Sequence, residues 1–287
     1  MKYDVSKSNR LGNRKSNQDR IGVVETSEAV LLVLADGLGG HAGGDVAAET
    51  VVDCAFRYFN NVNKPIRNPG AFLSEVILRT HREIITLAAS CDPPLKAKST
   101  CVLCIVQDGF AHWAHVGDSR LYVVRNNKVF KRTRDHSKVE ELYQRGVISQ
   151  QEKQSHPEKN LLTRCIGSES HRPQAQLAPA FPLQQGDVIL LCSDGLWSPL
   201  SDRDIVKGVN RQSLNDAIED LSSDAEEASY PNSDNISVIG FRWQGAFDPI
   251  EKPKAPAQQQ ATANEDIDTV NQELEDMINQ LNKAANK

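Results

Sequence analysis

Aspartates at the ends of apolar segments are the residues of this sequence whose type and spacing could do chemistry. Asp36 ends LLVLAD, Asp194 ends VILLCSD, Asp118 lies in HVGDSRLY between two apolar runs, and Asp234 comes two residues before ISVIGF. A lone Asp-Gly is common in turns and indicates no more than a loop. Four aspartates that each border a separate apolar run predict carboxylates gathered at one rim of the core.

Such a cluster would need cations. Two unpaired carboxylates about 4 Å apart repel by roughly 4 kcal/mol at an effective dielectric of 20. A set of oxygen ligands favours Mg²⁺ or Mn²⁺ over zinc or copper. The glycines of GLGGHAGG, directly after Asp36, let the backbone approach a ligand closely, so the carbonyl of Gly37 is a further candidate ligand. The stretch matches neither a Walker A loop nor a dinucleotide-binding turn.

Two metals about 3.5 to 4 Å apart can share a water, lower its pKa and aim it at phosphorus. The predicted chemistry is therefore phosphoester hydrolysis. A phosphate substrate also needs a cation for its oxygens, which a guanidinium supplies best. Arg14, in GNRKSNQD, is the candidate, although a single arginine of this kind is more often a solvated surface charge.

The elements that must position these residues can be read from periodicity. Neighbouring strands pair mostly antiparallel and helices fall in separate blocks, which predicts an α+β fold rather than a βαβ repeat. Turns are predicted at Gln107–Gly109 and Arg125–Asn127. The predicted strands are 21–25, 30–36, 101–106, 110–117, 120–124, 128–133, 187–193 and 236–243, and the predicted helices are 45–59, 71–89 and 214–228.

Composition excludes several classes of function. The net charge of -5 and the lack of a basic tract argue against nucleic-acid binding. No segment has the apolar length of a signal peptide or a membrane span, so we expect a cytoplasmic protein without membrane association. Cys101 and Cys104 form a C-x-x-C pair, but no second pair completes a zinc site. They lie in a strand-like run that would turn them to opposite faces, which predicts buried free thiols.

Eight motifs in order resemble the metal-dependent protein phosphatases of type 2C, in particular the compact bacterial serine/threonine phosphatases. The resemblance covers Asn9 to about Trp243, within a catalytic domain of residues 1–244. It implies a four-layer α-β-β-α sandwich, two antiparallel sheets flanked by helices. The motifs are GNRKSNQD, LADGLGGHAGG, STCVLCIV, HVGDSRLY, TRDHSKVEELYQRGVISQQE, HPEKNLLTRCIG, GDVILLCSDGLW and SDNISVIGF.

The resemblance also implies metal ligands. Asp36 would bridge two Mn²⁺ or Mg²⁺ ions, and the Gly37 carbonyl would bind one of them. Asp194 and Asp234 would complete the other. Asp118 looks like the ligand of a weaker third metal that Asp194 shares.

Further residues correspond to the family's substrate and water ligands. Arg14 matches the arginine that binds substrate phosphate, and Asp19 the acid that hydrogen-bonds metal waters. Gln18 stands where many relatives have an acid. Animal relatives place a histidine, similar to a general acid, where this sequence has Leu38, so the proton donor is unassigned. It could be His41 or a metal-bound water, and for His41 a hydrogen-bonding role in the glycine loop is favoured.

Residues 135–167 resemble the mobile flap of bacterial members. The segment joins two core regions and contains few large apolar residues, which is typical of an element that gates substrate access. We expect His136 and His156 to hydrogen-bond backbone within the flap rather than act in catalysis.

The composition changes after Trp243. Residues 245–262 are rich in Pro, Gln and Ala and predict a linker. Residues 263–287 predict an amphipathic helix, with a capping box at Thr262 and Glu265. Fewer than three heptads are present, so docking on its own domain, binding a partner and dimerising stay open. The apolar stripe is Ile267, Val270, Leu274, Met277 and Leu281.

The function predicted is hydrolysis of phosphoserine and phosphothreonine in proteins, opposing a bacterial Ser/Thr kinase, without a phosphoenzyme intermediate. No cysteine lies in a phosphate loop of the tyrosine-phosphatase kind. Two rivals are a pseudophosphatase that signals by binding, against which the intact aspartates argue, and a metal-dependent phosphodiesterase or nuclease, against which the acidic charge argues.

Overall fold

The computed structural model describes residues 1–38, 41–210 and 213–245, with the side chains of residues 41 and 42 left out. The predicted linker beyond Gly245 and the predicted helix 263–287 lie outside the described residues. The strands are β1 (Tyr3–Arg10), β2 (Asp19–Glu25), β3 (Ala29–Leu38), β4 (Lys98–Ser99), β5 (Cys101–Gln107), β6 (Phe110–Val116), β7 (Arg120–Arg125), β8 (Lys128–Arg132), β9 (Gln176–Leu177), β10 (Phe181–Pro182), β11 (Val188–Cys192) and β12 (Ile236–Trp243). The helices are α1 (His41–Asn61), α2 (Pro69–Ser90), α3 (Lys138–Gln144), α4 (Gln150–Ser155), α5 (Asp194–Trp197), α6 (Asp202–Val209) and α7 (Leu214–Ser229).

These strands form two antiparallel sheets. A five-stranded sheet has the order β1-β12-β11-β7-β8, and a seven-stranded sheet has the order β10-β6-β5-β3-β2, with β4 beside β3 and β9 beside β6. Strands β5 and β6 form one hairpin in the seven-stranded sheet, and β7 and β8 form another in the five-stranded sheet. Their turns have positive φ at Asp108, Gly109, Asn126 and Asn127, which confirms both predicted turns.

Three apolar clusters separate four layers. Side chains alternate between the faces of a strand, so Leu31 and Val33 face α1 and α2 while Leu32 and Leu34 face the other sheet. A third cluster, with Ile218 of α7, fills the space between the five-stranded sheet and helices α5 to α7. The predicted α-β-β-α sandwich is confirmed.

Cys101 and Cys104 follow the same alternation. Cys101 packs in the cluster under the helices and Cys104 in the cluster between the sheets, and both are free and buried. Burial raises the pKa of each thiol. The predicted pair of buried thiols on opposite faces is confirmed.

Strand β1 was not predicted from the sequence. Its residues YDVSKSNR are mostly polar, because β1 is an edge strand whose outer side meets solvent. Pairing with β12 along its whole length, from Tyr3 opposite Trp243 to Arg10 opposite Ile236, forms the strand. None of the described helices combines the length and the hydropathy that crossing a bilayer requires.

Candidate active site

The predicted aspartates lie where strands begin or end. Asp36 is near the end of β3, and Asp118 lies in the turn between β6 and β7. Asp194 begins α5 directly after β11, and Asp234 comes two residues before β12. Asp19, the first residue of β2, lies directly opposite Asp36 in the antiparallel pair. The two sheets thus bring these acids to the same end of the sandwich.

The acids interact strongly with one another. Burial, and then the negative charges of Asp19, Asp194, Asp118 and Asp234, raise the pKa of Asp36 well above its ordinary value. Burial and neighbouring carboxylates likewise raise the pKa values of the Asp19, Asp118 and Asp194 side chains. Asp36 and Asp194 keep partial exposure, so the cluster opens to solvent. These carboxylates therefore lie close enough to one another to repel.

The backbone around Asp36 is fixed by hydrogen bonds to β4 and β5. The Asp36 N–H donates to Thr100 Oγ1 at 2.9 Å, and its carbonyl accepts from the Thr100 N–H at 2.8 Å and from Ser99 Oγ at 2.9 Å. The Thr100 hydroxyl also lies 2.7 Å from Ser119 Oγ, next to Asp118. Thr100 therefore connects the part of β3 that carries Asp36 with the turn that carries Asp118.

The residues after Asp36 are packed closely. The Gly37 N–H donates to the Gln18 carbonyl at 3.1 Å, and a Cβ at Gly37 would lie 2.2 Å from the Gly44 carbonyl oxygen. Only glycine fits this position. Leu38 is the last residue of β3 and is partly exposed, and the His41 side chain lies outside the described residues.

Arg14 stands at the edge of the cluster. Its Nη2 lies 2.6 Å from Asp234 Oδ2, and 58% of its side chain is exposed. Asp234, then Asp194 and Asp36, raise the pKa of the guanidinium, which places it in the field of three acids of the cluster. The exposed guanidinium could bind a phosphate through two parallel hydrogen bonds.

Asn235 fixes the loop that carries Arg14. Its side chain donates to the carbonyls of Leu11 and Ser16 at 2.9 and 3.1 Å, and its Oδ1 accepts from the Gln18 N–H at 2.9 Å. Asn235 and Thr100 are positioning residues that the sequence analysis missed. The only signal was their place in SDN and STC, beside an acid and at the start of a strand.

The donor set fits hard divalent cations. It consists of carboxylates and carbonyls, it concentrates negative charge, and Asp19 Oδ2 is buried without a hydrogen-bond partner among the described residues. Burial raises the pKa of the Asp19 carboxyl, and the hydroxyls of Ser193 and Ser237 lower it to a smaller extent. As placed, no three His, Cys, Asp or Glu side chains in the described part of the chain converge on one point, and Asp234 faces Arg14.

The segment 135–167, which the sequence predicts to be a flap, contains α3 and α4. His156 Nδ1 accepts from the Glu158 N–H at 3.1 Å, which confirms the prediction of a backbone bond within the flap. For His136 a backbone bond is also present, but the prediction that it lies within the flap was wrong: its Nδ1 accepts from the Gly117 N–H, in the turn before Asp118. The ring also stacks on His115 at 4.6 Å. His136 thus fastens the start of the flap to the turn that carries Asp118.

Arg120 makes a second connection at the start of the flap. Its guanidinium forms a two-pronged, buried pair with Asp135 at 2.7 and 2.8 Å and stacks on Trp197 at 3.6 Å. Arg120 follows Asp118 by two positions and Trp197 follows Asp194 by three. Asp135 is the first residue of the flap. The turn of Asp118 and the flap therefore share one rigid base.

Comparison with known proteins agrees with this geometry. The family model "Protein phosphatase 2C" matches residues 8–234. The serine/threonine phosphatase stp of Listeria welshimeri is 32% identical over 232 residues, covering 79% of this chain and 90% of the relative.

Two solved structures are similar to the fold. The serine/threonine phosphatase of S. agalactiae has a TM-score of 0.78 and 30% identity, covering 85% of this chain and all of that one. The catalytic domain of the serine/threonine protein phosphatase PstP, in complex with two manganese ions, has a TM-score of 0.71 and 25% identity over 85% and 99% of the two chains. The acids lie where strands begin or end, and the family model matches most of the length of the chain. The chain therefore belongs to the protein phosphatase 2C family.

Proposed function

We propose that this chain hydrolyses phosphoserine and phosphothreonine in proteins by direct attack of water, at the cluster of Asp36, Asp194 and Asp234. Its family and its relatives make it a metal-dependent phosphoprotein phosphatase. The observation that carries the proposal is the crowding of carboxylates around Asp36, whose pKa their charges raise. Such a cluster is stable as an ionised set only with bound cations.

Asp36, the Gly37 carbonyl, Asp194 and Asp234 would hold two Mn²⁺ or Mg²⁺ ions, and Asp118 with Asp194 would hold a third. When bound, these ions supply positive charge and a more acidic water. The manganese in the similar PstP structure favours this assignment. The raised pKa of Asp118, to which Asp194 contributes, supports a shared third site.

Arg14 would exchange its contact with Asp234 for the phosphate oxygens of the substrate. Asp19 and Gln18 would hold and orient waters beside the acids, and the orphaned Asp19 Oδ2 is free to accept. With Leu38 in place of a histidine, the leaving serine or threonine oxygen takes its proton from a water or from His41. We favour water, and assign His41 to the glycine loop.

The substrates would be phosphoproteins made by a Ser/Thr kinase, and we place the enzyme in the cytoplasm. The catalytic domain would span residues 1–244, with a gating flap at 135–167. Neither nucleic acid nor membrane is a proposed partner.

The test is hydrolysis of a phosphothreonine peptide and of a phosphodiester, with and without Mn²⁺, by the wild type and by Asp194→Asn. We expect metal-dependent cleavage of the peptide alone and a loss in kcat of about 100-fold or more in the variant, as for other electrostatic groups of an active site. Asp53→Asn, an exposed aspartate of α1, is the matched control and should keep full activity.

Each rival predicts another result. A pseudophosphatase would show no turnover in any condition, and a nuclease would prefer the diester. Turnover without metal, or turnover that Asp194→Asn leaves intact, would contradict the mechanism.

A further inference from the structure

A groove beside the edge strand β8 is lined by none of the acids of the cluster. It lies between the edge strand β8 and the segment that contains β9 and β10, has a volume of about 360 Å³, and is called the β8 groove here. Trp113, Leu177, Pro179 and Phe181 supply apolar surface, and Lys131 and Arg132 supply charge. No acidic residue lines it among the described residues.

The surface of this groove is unusually apolar for an exposed edge. Leu177 is 45% exposed, and Phe130 beside the groove is 51% exposed and packs edge-on against Phe181 at 5.6 Å. Exposed large apolar side chains that form one patch mark an interaction surface more often than singly scattered ones do. Among the described strands β8 pairs only with β7, so within that part of the chain its outer edge has no strand beside it.

The charge of the groove defines what it would bind. Lys131 is exposed and makes no ion pair with the described residues, whereas Arg132 pairs with Asp202 at 3.2 Å. Lys128, on the same edge strand, is also exposed. An apolar groove with a basic margin fits a segment that is apolar on one side and acidic on the other.

This chain contains one such segment. Residues 265–276 carry six carboxylates and no lysine or arginine, and the apolar stripe that begins at Ile267 runs through the same stretch. The predicted helix 263–287 therefore complements the β8 groove in both polarity and charge.

The described chain also ends close to the groove. The Trp243 N–H donates to the Asp187 carbonyl at 2.9 Å, and the Asp187 carboxylate binds Arg125 at 2.6 and 2.7 Å. Arg125 in turn lies 4.9 Å over the Phe181 ring and 4.8 Å over Phe130. Arg125 thus connects the C-terminal end of β12, through Asp187, with the aromatic side chains at the groove.

We infer that the acidic amphipathic segment 263–287 docks in the β8 groove of its own chain. Residues 246–266 can span up to roughly 70 Å when extended, which is ample for the reach. Tethering raises the effective concentration to about the millimolar range, so a weak contact is enough for docking in cis. Apolar stripe residues enter the groove, and the carboxylates meet Lys131 and Lys128.

Zero-length carbodiimide coupling of the full-length protein tests this inference. We expect an intramolecular bond between Lys131 or Lys128 and a carboxylate of residues 265–276, identified by mass spectrometry. The yield should fall at least about threefold in 0.5 M salt, because exposed charge pairs are screened. Leu274→Asp should lower it by a similar factor.

Two matched controls isolate the contact. Gln272→Asp adds the same charge as Leu274→Asp on the opposite face of the predicted helix and should keep the coupling. In wild type the docked segment 263–287 should protect residues 128–133 and 176–181 from hydrogen exchange. Lys131→Glu should lose this protection. Lys7→Glu, on the opposite edge strand of the same sheet, should retain it.

Three results would overturn the inference: coupling only between chains with a yield that rises with concentration, coupling of the segment to lysines elsewhere, and equal coupling in Leu274→Asp and wild type. Activity of each variant on a phosphopeptide reports that its catalytic domain is folded.

Discussion

The Arg14 guanidinium meets Asp234 through one contact of 2.6 Å, and more than half of its side chain is exposed. A pair this accessible stabilises the fold little, since exposed ion pairs contribute about 0 to 1 kcal/mol. It is therefore easily exchanged for a substrate. This accessibility agrees with the proposed role of Arg14 in binding substrate phosphate.

Arg14→Ala is expected to lower kcat/KM for a phosphopeptide about 10- to 100-fold, the worth of a lost hydrogen bond to a charged group. Arg14→Lys should recover only part of the loss, because lysine keeps the charge without the fork. Steady-state kinetics measure both. Lys15→Ala, at the exposed neighbouring position, is the control, and an equal loss there would assign the effect to general surface charge.

Gly37 is constrained by its neighbours. In Gly37→Ala the Cβ would lie 2.2 Å from the Gly44 carbonyl and 2.8 Å from the Gln18 carbonyl, and backbone cannot yield as a flexible side chain does. We expect a loss of about 2 kcal/mol or more in unfolding free energy, together with most of the activity. Urea unfolding measures the first.

Gly70→Ala is the comparison for Gly37→Ala. Gly70 is in the first turn of α2 with no atom nearer than 3.8 Å to an added Cβ, so this change should be neutral or slightly stabilising. Similar destabilisation at both positions would show that the loss of glycine flexibility, not the clash, matters.

The start of the flap contacts the turn that carries Asp118. His136 is 6% exposed, stacks on His115, and accepts from the Gly117 N–H. Burial, and then the neighbouring His115 and Arg164, lower its pKa to about 4 from 6.5. Neutral His136 holds the Gly117 turn, and its protonation removes the acceptor.

Stability should therefore fall on the acid side. The unfolded chain binds a proton at His136 below about pH 6.5 and the folded chain only below about 4, so the stabilisation is complete above 6.5 and lost as the pH falls to 4. The loss from this group is at most about 3 kcal/mol. His136→Asn, whose amide oxygen can accept the same bond, should flatten the dependence of unfolding free energy on pH.

His171→Asn, at an exposed position, should leave that pH dependence unchanged. If His136→Asn and wild type lose stability in parallel between pH 6.5 and 4, the buried acids rather than this histidine govern acid unfolding.

Some parts of the fold and of the site could be predicted from the sequence, and others could not. The acids were predictable because each borders an apolar run, and the hairpin turns because Asn and Gly permit positive φ. Thr100 and Asn235 were not, since their role depends on which strands and loops are neighbours in space. The direct pairing of Asp19 with Asp36 is likewise a matter of register, which only the folded sheet defines.

On the scale of the whole molecule, the cluster is a source of instability that metal must offset. Repulsion among the acids raises their pKa values, so the folded state without metal bears a cost that the unfolded chain does not. A ligand that binds only the folded state stabilises it by about 2.7 kcal/mol at 100 times its Kd.

Asp36→Asn is expected to have opposite effects in two conditions. In a chelator it removes one repelling charge and should raise the Tm above that of wild type, whereas with Mn²⁺ it should lower the Tm relative to wild type. Differential scanning calorimetry measures both. A lower Tm in both conditions would show that the Asp36 carboxylate makes native contacts beyond metal binding.

The pairing of β1 with β12 joins residues that are more than 200 positions apart in the chain, so β1 is synthesised well before its partner. The loop of Arg14 is bound to Asp234 and Asn235 by the same closure. A nascent chain that has passed Asp194 has most of its acids but no partner for β1 and no anchor for its arginine. The complete site can therefore form only after residues 234–243 have been synthesised.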